Sequence, residues 1–244
     1  MKVAAIIQAR LSSTRLAGKI MKQVLGKPLL EYQIERIKRA KLVDVICVAT
    51  TTKESDQPII DLCRRLSIPY VQGSEEDVLS RYYKAAKIVK ADCIVRLTSD
   101  CPLIDPAVMD AVINKYISNY PQYHYVSNVI ERTYPRGLDV EAFSMSVLTH
   151  LHKSLTKQNY REHVTLYVNK HPANYSIAHV KNKSGDYSHI RLTVDTIEDF
   201  QLIEKIITEL YPLNKCFTFE DVLSLLSKHS DWLEINANVQ QKEH

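Results

Sequence analysis

Short apolar runs that are too brief for helices, Val3–Ile7, Val45–Ala49 and Cys93–Thr98, alternate with amphipathic stretches through the first part of the chain. That alternation restricts the fold more than any other feature. Leu29, Leu30, Tyr32, Ile34 and Ile37 repeat at helical spacing between about Pro28 and Ala40, and a second helix is expected over about Gln57 to Leu66. Pro69–Gln72 reads as a short third strand leading to Gly73. Ser74, Glu75, Glu76 and Asp77 then read as the cap and first turn of a helix continuing through Leu79, Tyr82, Tyr83 and Ala86. Strands and helices in alternation, with short connections, give an α/β fold: a mostly parallel sheet with helices on both faces, three layers in all.

In such a sheet, ligands bind beyond the carboxyl ends of the strands. The loop after the first strand, Gln8 to Lys19, falls there and is unusually well supplied with donors. Arg10, Arg15 and Lys19 are cationic, Ser12, Ser13 and Thr14 carry hydroxyls, and Gly18 lets backbone approach a ligand. These groups suit a polyphosphate, although the loop matches neither the P-loop nor the Gly-x-Gly-x-x-Gly pattern; a merely basic surface loop is the other reading. Gly73 and the turn after it lie on the same edge, so a base or ribose fits between the two loops.

Two further segments resemble each other. Cys93–Thr98 ends in Ser99-Asp100, and Ile190–Val194, expected to be another apolar strand, ends in Asp195; both carry Arg-Leu-Thr. Two carboxylates beside a phosphate loop match what Mg²⁺ requires, since it takes one or two acids together with substrate phosphates. The alternative is that both aspartates cap helices. Asp105-Pro106 opens a helix through about Tyr116, and Thr196 to Asp199 opens one containing Phe200, Leu202, Ile203, Ile206 and Ile207.

The section from Asn119 to Tyr187 is irregular and rich in tyrosine. Strands are expected at Tyr123–Val126 and Val140–Phe143, with a turn at Tyr134-Pro135-Arg136-Gly137, then a helix opened by Arg161-Glu162-His163 and a half-exposed strand over Tyr175–Val180. An insert of this kind serves substrate specificity or a homodimer contact. We divide the chain into a domain over 1–215, containing that insert, and a C-terminal helix and tail over 216–244. Thr218 to Asp221 caps the last helix, Trp232 docks after it, and Asn236 to His244 reads as a frayed end.

Composition narrows the function. With 32 basic and 28 acidic residues the net charge is +4, too balanced for nucleic-acid binding by bulk charge. No stretch approaches the roughly 20 apolar residues of a membrane span, and the start does not read as a signal peptide, so a cytoplasmic protein is expected. The five cysteines, Cys47, Cys63, Cys93, Cys101 and Cys216, contain no Cys-x-x-Cys and suggest neither disulfides nor zinc.

Taken together, the opening stretch with Gly26-Lys27-Pro28-Leu29, the Asp100-Cys101-Pro102-Leu103-Ile104-Asp105-Pro106 run, Tyr134–Glu141, Arg161–Thr165 and Arg191–Thr196 resemble the cytidylyltransferase family of acylneuraminate and KDO cytidylyltransferases. The nearest branch is that of spore coat polysaccharide biosynthesis protein F. The resemblance covers about residues 1 to 210 and implies a Rossmann-like nucleotide-diphospho-sugar transferase fold that uses CTP and Mg²⁺ to make a CMP-sugar, releasing pyrophosphate. It implies that the amides and side chains of Ala9, Arg10, Ser12, Arg15 and Lys19 hold the triphosphate, with Lys19, Arg15 and Asp100 catalytic. Asp100 and Asp195 ligate the metal, and Gly73, Ser74 and Arg81 face the base. Arg136, Asp139, Glu141, Arg161 and His163 line the sugar pocket or a dimer contact. The chain departs from the family at Ala17, Leu166 and Ile197, where Pro is common, and at Ser99, where Gly is. A metal-dependent glycosyltransferase is the first alternative, but those enzymes usually carry Asp-x-Asp, absent here. A non-catalytic nucleotide-binding partner is the second.

Overall fold

The computed structural model describes residues 1–241. β1 (Val3–Gln8) runs through the middle of the main sheet. A small hairpin of β2 (Gln23–Val24) and β3 (Lys27–Pro28), turned at Leu25 and Gly26 with positive φ, leads into α1 (Leu29–Ile37). β4 (Val45–Thr51), α2 (Gln57–Arg65), β5 (Tyr70–Gly73), α3 (Val78–Val89), β6 (Cys93–Thr98) and α4 (Pro106–Ser118) follow. β1 pairs in parallel with β4 and β6, and β4 with β5. The α/β parallel sheet expected from the apolar alternation is therefore present.

The inserted section extends the same sheet. β7 (Tyr125–Ser127) and β8 (Glu141–Ser144) pair antiparallel, and β8 also runs antiparallel to β6, with Glu141 opposite Arg96. α5 (Met145–Ser154), α6 (Gln158–Glu162) and α7 (Leu166–Lys170) come next. β9 (Ile177–His179) pairs in parallel with β7 and completes a sheet ordered β5-β4-β1-β6-β8-β7-β9 among the described residues. α8 (Ile197–Leu210) and α9 (Phe219–Lys228) close the fold.

The central strands are apolar on both sides because both sheet faces are covered. Ala5, Ile7, Val48, Val95 and Leu97 share one core with residues of α1, α4, α8 and α9. Ala4, Ile6, Cys47, Ala49 and Ile94 point the other way, into a core completed by α3 and α5. Phe217, Phe219, Val222, Leu226 and Trp232 join the first core, so the C-terminal helix packs on the same body as the sheet.

Four local expectations are corrected. Ile190–Val194 is not a strand of the sheet: it makes one isolated bridge, from Arg191 to Arg136, and its amides bond to loops. Leu192 N donates to Arg136 O at 2.7 Å and Val194 N to Asp100 O at 2.8 Å. All five residues from Ile190 to Val194 are buried, which an extended loop can satisfy without a ladder. The helix expected from Arg161 to Val168 is broken at His163, because the chain turns inward to bury Val164. α3 is capped by Asp77, which accepts from Ser80 N at 2.9 Å, so Ser74, Glu75 and Glu76 precede the helix. The tail expected to be frayed is pinned at Asn236, which is 4% exposed, while Ala237, Asn238, Gln240 and Gln241 are exposed; positions 242–244 lie outside the described residues.

Candidate active site

The Gln8–Lys19 loop is held from three sides. Ala9 N donates to Ala49 O at 3.1 Å, Leu11 N to Asp56 Oδ1 at 2.7 Å, and Gly18 N back to Leu11 O at 3.1 Å. Asp56 is buried and also accepts from Thr51 Oγ1 at the end of β4. Gly18 takes the left-handed conformation at φ 63°, which glycine adopts without penalty, and opens a single 3-10 turn, Lys19–Met21. Ile20 in that turn is buried and anchors it, which aims Lys19 back into the loop.

Lys19 Nζ lies 3.2 Å from Asp100 Oδ2 and 2.7 Å from Asp195 Oδ1, and Arg15 NH2 lies 2.8 Å from the same Asp195 oxygen. Residues far apart in sequence thus meet at one point, the carboxyl end of β6. Burial alone would lower the Lys19 pKa, but Asp100 and Asp195 outweigh it and hold the ammonium above its ordinary value. Burial opposes ionisation of Asp195 as well, yet Lys19, Arg15 and Arg191 keep its carboxylate below the ordinary range. Cys101, next to Asp100, is buried, and burial raises its thiol pKa well above the usual value, which disfavours a thiolate nucleophile.

These groups open on a cleft of about 320 Å³ lined by Ala9, Arg10, Ser12, Arg15, Lys19, Arg81, Asp100, His163 and Asp195 among others. A second cleft of about 270 Å³ shares Arg96, Thr98, Asp100, His163 and Asp195 with it and adds Arg136, Asp139, Glu141 and Thr165. The two share the Asp100–Asp195 pair as a common wall, one lined mainly by the first loop and the other by the insert.

Several expected residues play different parts from those foreseen. The Ala9 amide is spent on the sheet, so Ala9 contributes only lining. Ser12 Oγ donates to Glu75, whose carboxylate is held below its ordinary pKa by Lys53, then by Ser12 and Arg10. Gly73 and Ser74 are not among the described residues lining the cleft. Gly73 does not serve a positive-φ turn; a Cβ there would come within 2.9 Å of Arg81 Cγ, so its small size admits that side chain. Arg81, 2% exposed, donates to the carbonyls of Ser74 and Glu75, and thereby fixes the loop below the cleft it also lines. Arg161 lines neither cleft: its guanidinium bonds to Asp77 Oδ2 at 2.7 Å and to the carbonyls of Leu155 and His152 at 2.8 and 3.2 Å. Asp139 is gripped by Arg132 at 2.5 and 3.0 Å, and Glu141 by Arg96 and Tyr125.

Arg96, Arg132, Arg191, Asp56, Glu75 and Asp199 were not foreseen as parts of the site. For Arg96 and Arg191 a signal existed, a lone cation in each of the two similar Arg-Leu-Thr runs. Both turn out to be buried or nearly so and paired with acids of the clefts, Arg96 with Glu141 and Arg191 with Asp195. The Glu75 interaction left no such trace, because its partners, Arg10 and Ser12 on the first loop and Lys53 after β4, lie on segments distant from it in sequence.

Comparison with known proteins agrees with this geometry. Residues 4–229 match the family described as cytidylyltransferase. The spore coat polysaccharide biosynthesis protein SpsF of Bacillus subtilis is 33% identical over 208 residues, covering 82% of this chain and 83% of that protein. The 3-deoxy-manno-octulosonate cytidylyltransferase of Geobacter metallireducens is 33% identical over 121 residues, about half of each chain. A solved cytidylyltransferase structure from Leptospira borgpetersenii superposes with a TM-score of 0.91 at 33% identity, covering 100% of both chains. A central, mostly parallel sheet, a cationic loop after its first strand, and a match spanning nearly the whole chain lead to one conclusion: this protein belongs to the cytidylyltransferase family and is a nucleotidyltransferase.

Proposed function

We propose that this enzyme transfers CMP from CTP to a hydroxyl of a sugar acid, releasing pyrophosphate, with Mg²⁺ as cofactor, in cytoplasmic synthesis of a surface polysaccharide or glycan. The observation that carries the reading is the convergence of Lys19 and Arg15 with Asp100 and Asp195 inside one cleft. Asp100 and Asp195 fit a hard divalent cation. The gap between them already takes a positive charge, the Lys19 ammonium, and no third acid, thiol or imidazole joins them as a metal cluster among the described residues. That leaves the remaining positions to water and phosphate oxygens, as Mg²⁺ prefers. When bound, the ion would neutralise phosphate charge and help align the leaving group.

The chain's own residues do the rest. Lys19 and Arg15 exchange their carboxylate partners for phosphate oxygens and stabilise the charge that develops on pyrophosphate; Arg10 and Ser12 exchange Glu75 for the outer phosphates at the rim. Transfer to an incoming hydroxyl then needs positioning and charge stabilisation more than covalent chemistry. The acceptor lies in the second cleft. There Arg132 neutralises Asp139 and Arg96 neutralises Glu141, whereas Arg136 makes no ion pair among the described residues. An uncommitted guanidinium favours an acceptor carrying a carboxylate. Half-buried aromatic rings on the insert, Tyr160, Tyr167, His171 and Tyr175, support the homodimer contact expected of that section.

The test is a pyrophosphate-release assay with each of the four ribonucleoside triphosphates and Mg²⁺, offering 3-deoxy-manno-octulosonate, nonulosonic acids and neutral hexoses. Release with CTP and an acidic sugar alone is expected. Equal release with a neutral sugar, or with another triphosphate, would overturn the assignment of acceptor or base respectively.

A further inference from the structure

The segment that carries Asp195 lacks a strand ladder, and beside its few backbone bonds to loops it is side chains that fix it. Arg191 is the main pin: its NH2 donates to Asp195 Oδ2 at 2.8 Å, and its Nε and NH2 donate to Asp199 at 2.9 and 3.1 Å. Asp199, fully buried at the start of α8, also accepts from Asp195 N at 2.9 Å and Thr196 N at 3.1 Å. The remaining partners come from the end of the chain. Asn236 Nδ2 donates to Arg191 O at 3.0 Å and Asp199 Oδ1 at 2.9 Å, and Gln241 Oε1 accepts from Arg191 NH1 at 2.7 Å. Gln241 also lines the second cleft. The tail is seated by Trp232, which stacks on His229 at 4.5 Å beneath the Lys205 ammonium of α8.

We propose that residues 236–241 are part of the active site, with Asn236 and Gln241 as positioning residues that hold Arg191, and through it Asp195, in register with Lys19. The proposal rests on the reading of Asp195 as a ligand of the metal-bound triphosphate. Arg191 is the outer partner of the Asp195 carboxylate; mutating such a partner characteristically costs 10- to 100-fold in metal affinity, and loosening Arg191 from the tail is expected to cost the low end of that range. Gln241 is exposed, so its substitution is expected to leave the fold intact, which makes it the better residue to change.

The experiment is calorimetric binding of CTP to full-length protein, with Mg²⁺ and with EDTA, for wild type, Gln241→Ala and Gln241→Glu. Gln241→Ala is expected to bind CTP about 10-fold more weakly with Mg²⁺ and unchanged in EDTA, with Tm within about 2 °C of wild type. Gln241→Glu, which keeps an acceptor for Arg191, is expected to restore the Mg²⁺ affinity to within about 3-fold. Equal Mg²⁺ dependence in wild type and Gln241→Ala would overturn the role of the tail alone. A wild type whose CTP affinity ignores Mg²⁺ would overturn the reading of the two aspartates and the proposal with it.

Discussion

Lys19 joins both carboxylates of the site at hydrogen-bond distance, so its removal affects charge at two stages, before and after the triphosphate arrives. Lys19→Ala and Asp100→Ala are each expected to lower kcat by about 10²-fold or more while the protein still folds, checked by steady-state pyrophosphate release at saturating CTP and Mg²⁺. The same residues set a pH dependence in the ligand-free enzyme. Asp195 has a folded pKa below its ordinary 3.8, so its contribution to stability is present above that pH and is lost as pH falls through the folded value. Lys19 has a folded pKa above 10.5, so its contribution is complete below that pH and is lost as pH rises through the folded value. Urea unfolding across pH should show a plateau between these limits. In Lys19→Ala, where Asp195 has lost a partner that depresses its pKa, acidification should remove less stability than in wild type. A steeper acid limb in the variant would contradict the pairing. At this scale the sequence was informative where function requires a recognisable type of group in one loop, as with Arg15 and Lys19. It was silent where a buried acid meets a cation from a distant strand, as with Glu141 and Arg96.

Among the elements, the turn Tyr134–Gly137 and the extended segment Ile190–Asp195 form the least regular but most consequential contact. Gly137 has φ +104°, and a Cβ built there would fall 2.5 Å from the carbonyl carbon of Leu192 and 2.7 Å from Thr193 N. Neither backbone atom can yield without moving Asp195. Gly137→Ala is therefore expected to destabilise the protein by on the order of 2–4 kcal/mol through backbone strain and overpacking, measured by urea unfolding. Its kcat should fall as well, since the shifted segment carries Asp195 away from Lys19. A change in stability under about 0.5 kcal/mol would show that the close approach is absent in solution. α4, α8 and α9 were legible because their caps are local: Asp105 before Pro106, and the capping boxes of Thr196 with Asp199 and Thr218 with Asp221. The Ile190–Val194 segment was misread because its apolar residues mark it as buried, while a strand also requires a neighbour to pair with.

For the molecule as a whole, the sheet brings the ends of β1 and β6 together, the insert adds a second cleft beside the first, and the C-terminal end braces the point where they join. A ligand that spans such a junction couples all three parts. CTP with Mg²⁺ at about 100 times its Kd should add roughly 2.7 kcal/mol of stability, a rise in Tm of roughly 5–10 °C for a chain of this size. ATP, GTP and UTP at the same concentration should give less, as read by differential scanning fluorimetry; an equal rise with all four would mean that the base is not selected. Among the described residues, no helix is long and apolar enough to cross a membrane, in keeping with the hydropathy of the sequence.

The sequence by itself determined the parallel α/β core, the caps of α4, α8 and α9, the cationic loop and the two aspartates, because each depends on residues close together along the chain or on the periodicity of burial. Only the tertiary structure decided which acid faces which cation, that the Ala9 amide is already occupied, that Arg161 braces helices away from the clefts, and that the end of the chain reaches Arg191. Those facts arise from contacts between segments far apart along the chain, 176 residues for Lys19 and Asp195. Such contacts depend on how the layers pack, and local propensity carries no record of them.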